Sequence, residues 1–378
     1  MGTIEISRDD VRWAEGVWDK IQVKIEAECR RLGGTIPYIA VNGVYQDQME
    51  NNPYWWTNGF WPGILWQMYS KTAEPLYRDA ARRAEERLDG SLAGFEGLHH
   101  DVGFMWQLSA VADYKLTGNE RSRIRGLHAA TLLAGRYNPR GRFIRAWNKE
   151  FTGRMIVDCM MNLSILYWAE RELCDPRFRW IAMDHADTCM EHIVRPDGSC
   201  NHMADFDPET GAVLALPGGQ GYGEGSSWTR GQAWALYGFV ISFLHTGEPR
   251  YLDTAKRVAN YFLANVRRTG FIPPVDFRMP PQPEKYDTTA GMIAACGLLE
   301  LSKAVDLLEQ AVYRDGALDI LKAVLEKHGD WDPDRDGIVQ YGSAEYHKKT
   351  ESHVPIIYGD YFMIEAVLKL MGSEFTAW

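Results

Sequence analysis

The sequence predicts an all-α chain folded as an (α/α)6 barrel, a double ring of six helical hairpins. Three observations lead there: helical periodicity recurs along the whole chain with strand signals almost absent, the helices alternate between two kinds, and their connections alternate between short and long.

The first helix is expected from about Ser7, a good N-cap residue, to Leu32, with Val11, Ala14, Trp18, Ile21 and Ile25 along one face. Others are expected to begin near Thr57, Pro75, Asp101, Asn119, Met155, Pro176, Ser227, Pro249, Thr288, Asp306 and Gly359. Those starting near Thr57, Asp101, Met155, Ser227, Thr288 and Gly359 are apolar nearly all round, as in MIVDCMMNLSILYWA and WTRGQAWALYGFVISFL. A helix apolar on every side is buried on every side. The rest carry a charged face, as in EPLYRDAARRAEERL and EPRYLDTAKRVANYFL, and belong outside.

Each buried helix is followed by a quick turn (KTAEP, KLTGNE, ELCDPR, HTGEPR) and preceded by a longer loop: 33–56, 92–100, 137–154, 195–226, 268–287 and 329–358. Six hairpins of this kind close into one catalytic domain spanning 1–378. An open helical solenoid would instead show a consensus at fixed period, and the sequence has none. In the barrel, all long loops gather over the N-termini of the inner helices. Binding groups concentrate on such loops, and free N–H groups at helix starts suit an anionic ligand.

The composition narrows the partner. A net charge of −10 argues against nucleic acid, which needs a basic surface. A small anionic substrate remains compatible, because a few local cations override the global sign. The 14 Trp and 18 Tyr fall in loops as well as in apolar stripes, so some are placed to stack on sugar rings and others to fill the core. Cys29, Cys159, Cys174, Cys189, Cys200 and Cys296 form no CxxC pair and no cluster with His, which argues against structural zinc; no metal or other cofactor is expected. The N-terminus lacks an apolar signal core and no stretch is long enough to span a membrane, so a reducing cytoplasm is expected. Met1-Gly2 is not a myristoylation site, since Ile6 stands where Ser or Thr is needed.

Two acids stand out. Asp101 in GLHHDVGFMW and Asp158 in GRMIVDCMMNL both sit in apolar sequence at the loop-side ends of inner helices. Such acids commonly cap a helix. Sharing one apolar site would instead push their environments apart, leaving one neutral and one ionised group. In GSSWTRGQAWALYGF, Arg230 lies between Trp228 and Trp234 and is a candidate cradle for a carboxylate on a flat ring. The preceding loop holds His202 and Gln220 among closely spaced glycines. NNPYWWTNGFWPGILW supplies Trp55, Trp56, Phe60 and Trp61, and FIRAWNKE supplies Trp147. DPDRDG (332–337) begins like an EF-hand loop, but its twelfth position is Ser343, so it is read as a turn-rich loop.

The motifs HHDVGF, IVDCMMNL, FDPETG, SWTRGQAWALYGF and AACGLLE resemble glycoside hydrolase family 88, the unsaturated glucuronyl hydrolases, over nearly the whole chain. The resemblance implies the same barrel. It also implies removal of 4-deoxy-hex-4-enuronic acid from lyase-generated oligosaccharides, by hydrating the C4=C5 enol ether and without a cofactor. The aspartate matching Asp158 would protonate C4 and help water add at C5, with Asp101 assisting. His202, Gln220, Arg230 and Trp234 would contact the uronate; Trp56, Phe60, Trp147 and Trp228 would wall the pocket. Two departures stand out. Asn58 replaces an acid frequent in the family's WTDGFW, and Ser343-Ala-Glu-Tyr346-His-Lys348 replaces a Ser-x-x-Ser-x-Lys pattern found in members that accept sulfated substrates, which leaves Ser343 and Lys348 as the candidate sulfate contacts. Competing readings are an unsaturated rhamnogalacturonyl hydrolase (family 105), a sugar epimerase using the pair His99-His100, and a non-catalytic binding protein.

Overall fold

The computed structural model describes residues 6–149 and 151–378. In chain order its long helices are α1 (Arg8–Leu32), α2 (Phe60–Thr72), α3 (Pro75–Gly94), a composite α4, α5 (Glu120–Ala134), α6 (Cys159–Leu173), α7 (Pro176–His192), α8 (Thr229–Thr246), α9 (Pro249–Val266), α10 (Thr288–Ala304), α11 (Leu307–His328) and α12 (Ile357–Leu370). The composite α4 joins Val102–Trp106, a π-helical turn Gln107–Val111 and Ala112–Thr117.

Even-numbered helices form the inner ring and odd-numbered ones the outer. The ring closes because α2 packs on both α4 and α12, while α6, α8 and α10 complete the circle between them. This is the (α/α)6 barrel. Local chemistry marks the outer starts: Ser7 accepts from Asp10 N at 3.1 Å, Asp175 from Arg177 N at 3.0 Å, and Pro75, Pro176 and Pro249 occupy first-turn positions where no amide hydrogen is needed. The inner helices bury every side, as in α8, where every residue from Thr229 to Ser242 is buried.

Helix starts depart from expectation most at Met155. That residue lies in a strand, and α6 begins at Cys159. A short apolar run such as MIV does not distinguish strand from buried helix. The long loops also carry small sheets that the sequence reading missed. β1 (Pro37–Val41) pairs with β2 (Val44–Asp47), and β3 (Tyr137–Asn138) with β4 (Phe143–Ile144). β5 (Arg154–Ile156), β6 (Met203–Phe206) and β7 (Val213–Ala215) form one antiparallel sheet, with Met155 opposite Ala204; β8 (Gly342–Ser343) pairs with β9 (Ser352–Val354). All lie in the loops that precede inner helices, so they stiffen one end of the barrel.

The other end is sealed. Trp378 stacks on Phe362 with ring centroids 5.9 Å apart, and its indole N–H donates to Glu365 at 2.8 Å. Lys115 Nζ, at the end of α4, donates to the carbonyls of Ala377 at 2.7 Å and Trp378 at 3.1 Å. The DPDRDG segment is a loop held by its own acids: buried Asp336 accepts from Arg31 Nε at 3.0 Å and Tyr45 N at 2.7 Å.

Candidate active site

At the loop end of the inner ring is a cavity of about 340 Å³ lined by Trp55, Trp56, His99, Asp101, Trp147, Ile156, Asp158, Gln220 and Arg230. Eight of the residues singled out from the sequence therefore meet there: Asp101, Asp158, Trp55, Trp56, His99, Trp147, Gln220 and Arg230. A cavity of about 370 Å³ lies outside, by the 268–287 loop, but its buried acid Asp276 is occupied by the amides of Tyr222, Ser227 and Arg278.

Neither aspartate caps its own helix, although each occupies the N-cap position, Asp101 before α4 and Asp158 before α6. Asp101 is the deeper: its side chain is 9% exposed, against 13% for Asp158. Burial, then the charge of Asp158, pushes the Asp101 carboxyl well above its usual range; Asn162 and Arg136 oppose the shift without cancelling it. The Asp101 carboxyl is thereby biased toward its protonated form. Its Oδ1 accepts from Asn162 Nδ2 at 2.9 Å, and its Oδ2 lies 3.5 Å from His99 Nδ1 and 3.4 Å from His100 Nε2. Burial lowers both imidazoles, His99 to about 4, so neither carries charge at neutral pH.

These three residues bring ligand-type atoms within 4.8 Å of one another. One oxygen of Asp101 is already engaged by Asn162, which leaves Oδ2 as the carboxylate atom facing the two imidazoles.

His202 meets Asp158 with Nε2 at 3.3 Å from Oδ2. Its tautomer follows from its other nitrogen. Nδ1 accepts the Gln220 backbone N–H at 3.0 Å, so the ring proton sits on Nε2 and faces Asp158. Gln220 is anchored in turn, its Nε2 donating to Ala344 O at 2.9 Å.

Arg230 lines the cavity but is not a free cradle. Its guanidinium donates to Asp287 Oδ2 and Ser343 O, both at 2.5 Å, and to Ala344 O. It stacks over Trp228 at 4.5 Å and Tyr358 at 5.2 Å, and Tyr358 stacks on Trp56 at 5.2 Å. Only Nε is left without a partner. Asp287, at the start of α10, was not singled out from sequence; nothing in its neighbourhood announces that its charge belongs to Arg230.

The other expected residues take supporting places. Phe60 and Trp234 are fully buried behind Trp56 and Phe104, so they back the wall instead of forming it. Trp228 lies under Arg230 and against His202, ring centroids 4.5 Å apart. Trp147 packs on Ala146, Ile156 and Met203. Ser343 is buried with its hydroxyl donating to Tyr286 O at 2.7 Å, and Lys348 is paired with Glu351 at 2.5 Å; neither lines the cavity. Asn58 is buried outside it and ties down the preceding turn, donating to Asn52 O at 3.1 Å. Asn162 is a further site residue that sequence reasoning missed, and His99 was considered only as half of an epimerase's acid–base pair.

A model of Glycosyl Hydrolase Family 88 matches residues 37–272. The chain belongs to that family. It is 35% identical to an unsaturated glucuronyl hydrolase of Bacillus sp. (strain GL1), over 97% of this chain and 98% of the relative. It is 31% identical to an unsaturated chondroitin disaccharide hydrolase of Streptococcus pyogenes serotype M1, over 85% of this chain and 83% of the relative. The solved unsaturated glucuronyl hydrolase of Bacillus sp. GL1, described as responsible for glycosaminoglycan degradation, superposes with a TM-score of 0.87 at 34% identity, covering 95% of this chain and 96% of that one. As a family 88 member the chain is a glycoside hydrolase, and the cavity with its two aspartates is its candidate catalytic centre.

Two outcomes follow. A raised carboxyl pKa favours the folded state in acid and withdraws that support as pH rises, because folding must then take up a proton. Asp101→Asn should therefore melt higher than the wild type at about pH 7.5, with the gap closing toward about pH 4, where the unfolded carboxyl is also protonated. A lower melting temperature at every pH would contradict the assignment. Arg230→Ala leaves the buried Asp287 unpaired and should cost about 3–5 kcal/mol in denaturant unfolding. A loss confined to substrate affinity, with stability intact, would show that Arg230 acts only as a ligand contact.

Proposed function

We propose that this family 88 chain removes 4-deoxy-hex-4-enuronic acid from the non-reducing end of lyase-generated oligosaccharides by hydrating the C4=C5 bond. The supporting observation is the pair of aspartates in one aromatic-walled cavity, where burial and the neighbouring charge bias Asp101 toward its protonated form. Hydrating an enol ether needs a proton for C4 and a base-assisted water for C5, which is what such a pair supplies.

The ring stacks against the Trp56 and Trp147 walls, with its carboxylate toward Arg230 and Gln220. The one proton of the aspartate pair passes to Asp158, which delivers it to C4 and, then ionised, accepts one from the water that attacks C5, so the pair ends as it began. His202 Nε2 stands 3.3 Å from Asp158 Oδ2, close enough to engage that carboxyl when substrate is bound. One water is consumed. The C5 hemiketal opens to the ketone, and the C1 hemiacetal so exposed collapses to the aldehyde and expels the aglycone hydroxyl. No bond is broken by attack at the anomeric carbon, so the carboxyl separation does not predict retention or inversion.

An epimerase would use His99 and His100 as its acid and base. Burial holds both uncharged, which favours the hydration reading. We read the aglycone as unsulfated, because the sulfate contacts suggested by the sequence are already spent: Lys348 on Glu351 and the Ser343 hydroxyl on Tyr286 O. The substrate class agrees with the names of the Bacillus and Streptococcus relatives. The six cysteines are free, which supports a reducing compartment.

The ultraviolet absorbance of the C4=C5 bond provides the assay. It should decay with unsaturated disaccharides, and roughly tenfold faster in kcat/KM for an unsulfated one than for its 6-sulfated counterpart, as expected when a charged group finds no free partner. Asp158→Asn should lose roughly 100-fold or more in kcat while still binding the disaccharide, because an amide supplies no proton. Persistent absorbance with every disaccharide would overturn the proposal, and near-normal turnover by Asp158→Asn would overturn its role.

A further inference from the structure

We propose that Asn162 is a positioning residue that joins the two aspartates into one unit, fixing Oδ1 of Asp101 as an acceptor and leaving Oδ2 to carry the pair's proton. The role in turnover rests on the hydration reading above; the bridge itself does not.

Asn162 lies in the first turn of α6, one turn after Asp158, between Met161 and Leu163. It is fully buried. A primary amide in such surroundings is costly unless its polar atoms are paired. Here they are, and each recorded bond goes to the site. Nδ2 donates to Asp101 Oδ1 at 2.9 Å and to the Asp158 backbone carbonyl at 3.3 Å, while Oδ1 accepts Phe104 N at 2.7 Å. One side chain thus holds the carboxyl of one aspartate, the backbone of the other, and the start of the helix that follows Asp101.

The two helix starts are pressed together at this residue. A Cβ on Gly103 would lie 2.5 Å from Asn162 Oδ1 and 2.7 Å from its Cα, closer than real contacts allow. Gly103 therefore lets the start of α4 approach α6 until the Asp101 carboxyl comes within reach of the amide.

The amide also decides which oxygen bears the proton. An N–H can only donate, so Oδ1 must be an acceptor. The proton is left on Oδ2, beside His99 Nδ1 and His100 Nε2. The groups facing this carboxyl are those two imidazoles from its own loop, Asp158 and Cys159 from the start of α6, and Arg136 from the segment after α5. Of these, Arg136 is the permanent cation, and its nitrogens donate to the carbonyls of Arg145 and Ala146 and to Asn148 Oδ1. The Asn162 N–H is thus the direct neutral donor that restrains the Asp101 titration.

Asn162→Asp tests this with little change of shape. It keeps an acceptor for Phe104 N but loses the donor to Asp101; Asn162→Ser, smaller and able to donate, is the partial rescue. Asp101 is followed in the substrate-free protein by carboxyl ¹³C NMR, with Asp101→Asn supplying the assignment. In Asn162→Asp its midpoint should move to higher pH, and in Asn162→Ser it should return toward the wild type. On the unsaturated disaccharide, kcat should fall roughly 10- to 100-fold with KM changed less than about threefold, as for a misaligned reacting group. The pH–rate limb set by Asp101 should move upward with the NMR midpoint. An unmoved midpoint in Asn162→Asp overturns the inference, even if melting temperature and kcat both fall. A wild type inactive on unsaturated uronides overturns the hydration reading, while the NMR titration still decides the bridge.

Discussion

Asp101 is withdrawn from water in the same cavity that holds the charge of Asp158, and the resulting pressure on its proton organises the neighbouring groups. A carboxyl in that position is expensive to ionise, and it is given one fixed donor, Asn162, with two uncharged imidazoles beside its other oxygen. Folding has to bring a proton to this site, and the surrounding barrel must supply the stability to do so. The cation nearest the pocket is handled in the opposite way. Arg230 is neutralised by Asp287 and spread between the Trp228 and Tyr358 rings, so the cavity does not fill with unbalanced positive charge.

The closed ring makes this arrangement possible. Inner helices that bury every side cannot tilt independently, and their N-termini are therefore presented as a fixed set. The loops above are stiffened by short strand pairs and by single bridges such as Ile39 with Ile356 and Trp228 with Asp276. Those bridges hold the aromatic walls and the acids at constant separation, which a loop-built site would not do alone.

Much of this was legible in the sequence, for identifiable reasons. Buried and amphipathic helices differ in composition along their whole length, so their alternation is readable without knowing any contact. Asp101 and Asp158 were visible because a carboxyl is conspicuous in an apolar run. Their relative depth was not, since it depends on the neighbouring helix and on His100 rather than on Met160 or Val157. Asn162 stands in the same apolar run as Asp158 but looks like an ordinary polar interruption until Gly103 is seen against it. Arg230 was visible between its tryptophans, whereas its saturation by Asp287 and the carbonyls of Ser343 and Ala344 joins segments far apart in the chain. The small loop sheets were missed because strands of two to five residues leave too little alternation to read.

The seal at the far end of the ring has a consequence for what can be cut. Trp378 and its aromatic neighbours close the barrel below Phe104, so the catalytic cavity is blind. A pocket with one mouth suits a chain terminus better than a threaded polysaccharide. One-ended trimming of that kind leaves the remainder on the solvent side of the mouth, and the freed monosaccharide leaves by the door through which it came.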